Sequence, residues 1–161
     1  MSELRESAVD PDPLEQFRRW YAEAEGAEIK APQAMALATS TANGAPSVRM
    51  VLLKGADERG FVFFTGYVSR KAGELDANPR AALLFHWDPL GRQVRVEGHV
   101  ERVAELTVRY EREDPPAPEA WGGFRLTPIA FEFWQHRDDR LHDRLRYRRA
   151  NGDWVVERLS P

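Results

Sequence analysis

The apolar positions of this chain change their spacing along its length, and each change marks an element. Leu14, Phe17, Trp20, Tyr21 and Ala24 recur three and four residues apart, so residues 13–25 are predicted to be a helix with one face on the core. Asp12 stands as its N-cap and Pro13 takes the first helical position. After Pro32 the period drops to two. Residues 35–39 and 47–54 are predicted as the arms of a hairpin around the tight-turn dipeptide Asn43-Gly44. Residues 60–65 (GFVFFT) and 80–87 (RAALLFHW) are the next strands, and between them residues 69–77 (SRKAGELDA) form a short helix capped by Ser69 and ended before Asn78-Pro79. From Gln93 the alternation puts Val94, Val96, Gly98 and Val100 on one face and Gln93, Arg95, Glu97 and His99 on the other, the mark of a half-buried strand. Residues 104–112 are predicted helical, with Asp114-Pro115-Pro116-Ala117-Pro118 closing them as a stiff linker. Residues 129–135, 145–149 and 154–159 supply three more strands, with Asn151-Gly152 as a second hairpin turn. Seven or eight short strands with two or three helices predict a mainly antiparallel β-barrel carrying peripheral helices.

Composition narrows what such a barrel does. The 161 residues fit one domain (1–161), with residues 1–12 expected as a flexible arm. No apolar run approaches the ~20 residues of a membrane span, and the start of the chain has no apolar signal region, so a soluble, cytoplasmic protein with no membrane partner is expected. There are no cysteines, which excludes disulfides, thiolate nucleophiles and cysteine metal sites. A net charge of −3 argues against nucleic-acid binding. The charge is uneven, however: residues 137–149 (RDDRLHDRLRYRR) carry six Arg and three Asp. Only Lys30, Lys54 and Lys71 among the basic residues are not Arg, the side chain suited to bidentate grips on phosphate or carboxylate.

Two stretches are candidates for chemistry. Ser69-Arg70-Lys71 opens a predicted helix straight after a strand, where free N–H groups and the helix dipole favour an anion and two cations would complete a phosphate site. A solvated basic pair beside an ordinary N-cap explains the same residues. Arg49 and Lys54, on the strand before, are an odd number of positions apart and so face opposite sides, serving different ligands or different ends of one. The second stretch is residues 134–144 (WQHRDDRLHDR). If it is extended, Arg140, His142 and Arg144 share a face, and a His beside Arg suits positioning or deprotonating a bound substrate. The bland alternative is a solvated, salt-bridged turn. His136, His142, Asp138 and Asp139 match no tight metal-ligand spacing, and no metal site is expected. Phe61, Phe63, Phe64, Phe131, Phe133, Trp121 and Trp134 are expected in the core. Without a glycine-rich dinucleotide fingerprint or a Walker-type loop, an enzyme of this composition is best read as a barrel holding a phosphorylated cofactor through scattered Arg and Lys contacts.

Several short segments are jointly specific. Arg49-Met50-Val51-Leu52-Leu53-Lys54, Phe63-Phe64-Thr65, Ser69-Arg70-Lys71, Asn78-Pro79-Arg80, Arg92-Gln93-Val94, Trp121-Gly122-Gly123-Phe124-Arg125, Glu132-Phe133-Trp134-Gln135 and Arg140-Leu141-His142-Asp143-Arg144 follow in order the pattern of the pyridoxamine (pyridoxine) 5′-phosphate oxidases. The chain resembles that family from about Asp10 to Pro161. The resemblance implies a split β-barrel and a homodimer with FMN at its interface. It implies that Arg49, Arg70 and Lys71 hold the cofactor's phosphate and ribityl chain and that the strand Met50, Val51, Leu52, Leu53 and Lys54 runs past the flavin. Phe64, Thr65, Gln93, Trp134 and Arg144 complete the cofactor contacts it implies, with Lys54 on the substrate phosphate and Arg140, Leu141 and His142 at the substrate's pyridine ring. Arg140 and His142 are the catalytic candidates, Arg140 positioning more than acting as a base. The implied reaction moves a hydride from pyridoxamine or pyridoxine 5′-phosphate to the flavin, and oxygen then gives hydrogen peroxide.

Two departures bear on substrate. Family members carry a long insertion before the Trp-Gly-Gly-Phe motif that supplies substrate-phosphate donors, whereas here only residues 110–120 fill the gap, a shortened linker (111–120) with Tyr110 the one stand-in for a lost tyrosine. Arg5 is the only basic residue of the shortened N-terminal arm. Each lost charge-assisted bond removes about 1.5–3 kcal/mol from phosphate binding. A related FMN oxidase for another small substrate, such as a dihydrophenazine, and a non-catalytic flavin- or pyridoxal-phosphate-binding protein are the alternatives this leaves open.

Overall fold

A computed structural model of the chain describes residues 3–105, 120–139 and 141–161. Helix α1 (Pro13–Gly26) precedes strands β1 (Ala34–Ser40), β2 (Pro46–Asp57) and β3 (Gly60–Gly66). Helix α2 (Arg70–Ala77) follows, then β4 (Arg80–Trp87), a single 3₁₀ turn (Asp88–Leu90), β5 (Arg92–Val103), β6 (Trp121–Gln135), β7 (Asp143–Ala150) and β8 (Asp153–Arg158). The hydrogen-bonded strand order is β3-β2-β1-β4-β5-β6-β7-β8, and an added β3–β6 pairing closes the first six positions into a barrel. The protein is thus mainly β, with helices α1 and α2 beside the strands, as the spacing of its apolar residues predicts. By its contacts the chain groups into two compact units: Met1–Pro32, Leu84–Val96 and Ile129–Pro161 form the first, and Gln33–Leu83 and Glu97–Pro128 the second.

The first unit is built around α1 and aromatic rings. Asp12 accepts the Leu14 N–H at 2.9 Å as N-cap, and Phe17, Trp20 and Ala24 are buried. Phe17 lies 5.0 Å from Phe85, Trp20 meets Phe133 edge-on at 5.2 Å, and Phe133 continues to Tyr147 at 5.4 Å. Offset and edge-to-face pairs of this kind add about 0.5–1.5 kcal/mol each beyond the area they bury. The chain before α1 is tied to β7 and β8: the Leu4 N–H donates to Asp143 at 3.0 Å, Arg158 donates to Asp143 and to the Leu4 carbonyl, and the Tyr147 hydroxyl donates to the Asp10 carbonyl at 2.6 Å. Asn151 and Gly152 both have positive φ, 53° and 86°, as the two-residue turn joining β7 to β8 requires.

In the second unit β1 alternates half-buried and buried residues, with Met35, Leu37 and Thr39 inside. Phe63 stacks on Phe124 at 5.5 Å, and Ala72 and Leu75 bury one face of α2, which packs on β1. The expected faces of β5 hold: Val94, Val96, Gly98 and Val100 are buried, while Arg95 and His99 are exposed.

Three expectations differ from the structure. Trp121, expected in the core, is exposed at the very start of its strand, where its side chain stands outside the packed rings. Strand β6 begins at Trp121, eight residues before the predicted start at Ile129. Gly122, Gly123 and Pro128 disguise it, and Gly122 is there because the Tyr67 ring covers it: a Cβ at Gly122 would stand 2.0 Å from Tyr67 Cζ. The β1–β2 connection is not a two-residue turn. Thr41 and Ala45 close a three-residue loop, which sets Thr39 opposite Ser47 and Leu37 opposite Arg49. Of the helix expected at residues 104–112 only Ala104 and Glu105 fall within the described residues, and both are helical. The linker 111–120 lies outside them apart from Ala120.

Candidate functional site

The second unit gathers two arginines around one carboxylate, with a lysine beside one of them. Ser69 caps α2 by accepting the Ala72 N–H, so Arg70 and Lys71 occupy its first turn, where backbone N–H groups have no partner within the helix. Arg49 reaches the same place from β2. Glu74, one turn into α2, is buried and receives Arg70 Nε at 2.9 Å, the Thr39 hydroxyl at 2.5 Å and the Ser47 hydroxyl at 2.7 Å. Its carboxyl is held at about 2, first by the Thr39 and Ser47 hydroxyls and then by Arg70, against the opposing effect of burial. Burial, and then the positive charge of Arg49, push the Lys71 ammonium below the usual lysine range. Cations gathered at a helix N-terminus are chemically complementary to a doubly charged phosphate monoester.

Strand β2 carries two different faces past this cluster. Ser47, Arg49, Val51 and Leu53 are half-buried, whereas Val48, Met50, Leu52 and Lys54 are exposed, so Arg49 and Lys54 do point to opposite sides. A bulge between Leu53 and Gly55 ends the alternation just past Lys54. On β3, Phe64 is half-buried and Thr65 buried, opposite Gly123 and Gly122 of β6.

In the first unit a separate group forms where β6 turns into β7. Trp134 and Arg144 are cross-strand partners. Arg144 donates to Glu132 at 2.8 Å and to the Ser160 carbonyl at 2.8 Å, while Arg95 donates to the other Glu132 oxygen at 2.6 Å. The Glu132 carboxylate thereby raises Arg144 above its ordinary value. The His142 ring lies 4.8 Å from Trp134 and 5.0 Å from His136, and its Nδ1 accepts the Arg137 N–H at 3.2 Å. Gln93 is half-buried near the start of β5, and Leu141 is exposed.

Arg49, Arg70 and Lys71 are thus brought together, as are Trp134, His142 and Arg144. Of the row expected through Arg140, His142 and Arg144, Arg144 lies on β7, which starts at Asp143, and His142 stands just before that strand with its ring against Trp134. The Arg137–Asp139 ion pair at 2.7 Å and the His136–Asp138 contact at 3.5 Å make this segment polar. Arg140 and Tyr110 lie outside the described residues. Among the described residues no cluster of His, Asp and Glu suits a metal ion, and no helix is long and apolar enough to cross a membrane. Glu74, Thr39, Ser47 and Glu132 belong to these two groups and were not singled out by sequence reasoning. The i,i+4 spacing of Arg70 and Glu74 was the signal available for the first of them.

Residues 21–135 match the family described as pyridoxamine 5′-phosphate oxidase, and residues 121–161 match its C-terminal dimerisation region. A pyridoxine/pyridoxamine 5′-phosphate oxidase of Cupriavidus necator is 47% identical over 200 residues, covering 100% of this chain and 94% of the relative. That of Salinibacter ruber is 45% identical, covering 99% and 94%. The first alignment is 200 residues long against a chain of 161, so 39 of its positions have no residue here. Among solved structures, PhzG from Burkholderia lata 383, in complex with tetrahydrophenazine-1-carboxylic acid, superposes with a TM-score of 0.89 at 29% identity, covering 99% of this chain and 98% of PhzG. A pyridoxamine 5′-phosphate oxidase-related, FMN-binding protein from Nostoc punctiforme gives 0.77 at 16% identity, covering 95% of this chain and 100% of that one, and shares the fold.

Proposed function

The chain belongs to the pyridoxamine 5′-phosphate oxidase family, and on that premise we propose that it is an FMN-dependent oxidase converting pyridoxamine or pyridoxine 5′-phosphate to pyridoxal 5′-phosphate in the cytoplasm. The observation that carries the reading is the convergence of Arg49, Arg70 and Lys71 over the first turn of α2, a donor set that fits the phosphate of FMN. When bound, FMN supplies two-electron chemistry, accepting a hydride and passing the electrons to oxygen to give hydrogen peroxide.

The chain's own residues bind and orient. Arg49, Arg70 and Lys71 hold the cofactor phosphate; Met50, Val51, Leu52 and Leu53, with Phe64, Thr65, Gln93, Trp134 and Arg144, are assigned to the rest of the flavin. Lys54, on the opposite face of β2 from Arg49, is assigned to the substrate phosphate together with Tyr110. Arg140, Leu141 and His142 are assigned to the substrate ring. Because His142 Nδ1 is engaged by the Arg137 N–H, its Nε2 is the nitrogen left for a substrate, and in the neutral ring that nitrogen carries the proton. In that tautomer His142 donates a hydrogen bond to the substrate.

The reading includes a homodimer. Val48, Met50 and Leu52 form an exposed apolar row, 67%, 64% and 47% accessible, on a strand whose residues are assigned to the cofactor, and residues 121–161 match a dimerisation region. Such a row on a soluble surface is the signature of an interface.

A second reading rests on the resemblance to PhzG and on the 39 unmatched alignment positions: an FMN oxidase of the same fold acting on a different, unphosphorylated ring substrate. Oxygen uptake by FMN-loaded protein separates the two. Uptake with pyridoxamine 5′-phosphate supports the first, uptake only with a dihydrophenazine supports the second, and a protein that takes up no FMN overturns both.

A further inference from the structure

The phosphate-binding arginines do not orient themselves. Arg49 Nη1 donates to the Thr39 hydroxyl at 2.5 Å and to the Leu37 carbonyl at 3.3 Å, and its Nη2 donates to the Ser47 hydroxyl. A hydroxyl has one proton to give. Thr39 and Ser47 both give theirs to the same oxygen of Glu74, so both turn lone pairs toward Arg49. The nearest Arg49 nitrogen is itself 3.7 Å from that oxygen, so the carboxylate acts on Arg49 mainly through the two hydroxyls. The other Glu74 oxygen takes Arg70 Nε directly. One buried carboxylate thus sets the direction of two guanidinium groups on two different elements.

Resting on the FMN reading above, we infer that Glu74 is a positioning residue that aims Arg49 and Arg70 at the cofactor phosphate and makes the site selective for a phosphorylated flavin. Three cations and this one carboxylate sum to two positive charges, matching a phosphate monoester dianion. An anion placed among phosphate-binding cations opposes phosphate binding by its charge and favours it by its geometry. The two effects have opposite signs, which makes the inference decidable.

The test is the dissociation constant of FMN, read from quenching of flavin fluorescence, for Glu74→Gln, Thr39→Val, Ser47→Ala and Thr39→Ser. Glu74→Gln adds a net positive charge yet is expected to weaken FMN by about ten- to hundredfold, the loss of one or two charge-assisted bonds. Riboflavin, which lacks the phosphate, is expected to be held as before, so the preference for FMN shrinks by the same factor. Equal loss of both flavins would mark a merely structural role and overturn the inference, as would FMN binding as tight as in the unaltered protein or tighter. If Glu74→Gln fails to fold, as judged by circular dichroism, the hydroxyl variants decide. Thr39→Val and Ser47→Ala leave the net charge alone and are expected to weaken FMN, while Thr39→Ser restores it; unchanged affinity in the first two overturns the inference. If the unaltered protein takes up no FMN, the functional reading fails. Inorganic phosphate then serves as the calorimetric probe, with the same order of variants expected and with no binding, or equal binding by all, overturning the positioning role.

Discussion

The backbone N–H of Arg137 donates to Nδ1 of His142 across 3.2 Å, between the end of β6 and the start of β7. This bond assigns the tautomer of a residue proposed to face the substrate: the neutral ring carries its proton on Nε2. Nitrogen-15 NMR of labelled protein is expected to show His142 as the Nε2–H form. A ring protonated on Nδ1 alone contradicts the geometry and returns His142 to the role of a base.

Acid titration tests the Glu74 network from the side of stability. The carboxyl, ordinarily at 4.5, is held at about 2 by the Thr39 and Ser47 hydroxyls and by Arg70. A depressed folded-state value means that its contribution is fully present above 4.5 and is lost as pH falls toward 2. Urea midpoints measured through that window are expected to fall more steeply for the unaltered protein than for Glu74→Gln. Parallel curves would show that the carboxylate is not held as described.

Tyr67 and Gly122 form a contact that admits no side chain. The ring lies against the glycine, with the Arg102 guanidinium 4.2 Å from its centre and Phe124 meeting it edge-on at 5.4 Å. Gly122→Ala is expected to cost about 1–3 kcal/mol, as overpacking does. The cost is expected to fall in a Tyr67→Ala background, a coupling that a double-mutant cycle by chemical denaturation measures. Equal costs in both backgrounds would place the strain elsewhere.

The apolar row of β2 gives a prediction about assembly. Met50 is 64% exposed between Val48 and Leu52 on the outward face of the strand. Met50→Glu is expected to convert a dimer to monomers by light scattering, with loss of FMN affinity, and a dimer that survives the change would move the interface off this strand.

Much of this was legible in the sequence because local rules acted alone. The Asp12 and Ser69 caps, the faces of β5 and the opposed directions of Arg49 and Lys54 follow from spacing, and the structure keeps each of them. What was not legible depended on non-local detail. A two-residue turn at Asn43-Gly44 would pair Thr39 with Val48. The three-residue loop shifts the register by one and sets Thr39 against Ser47, which is what lets both hydroxyls reach Glu74. Likewise Gly122 reads as a strand breaker until Tyr67 is seen to occupy the space of its missing side chain. Glu132, between Phe131 and Phe133, looks like the polar member of an ordinary alternation, and only the arrival of Arg95 and Arg144 shows it to be a buried anchor.

The most direct test of the central claim is an anaerobic titration of FMN-loaded protein with pyridoxamine 5′-phosphate, followed by the visible absorbance of the flavin. Bleaching of the flavin band, with formation of pyridoxal 5′-phosphate and recovery of the band with hydrogen peroxide when oxygen is admitted, is the result the account predicts. A flavin that stays oxidised with both pyridoxamine and pyridoxine 5′-phosphate would contradict it.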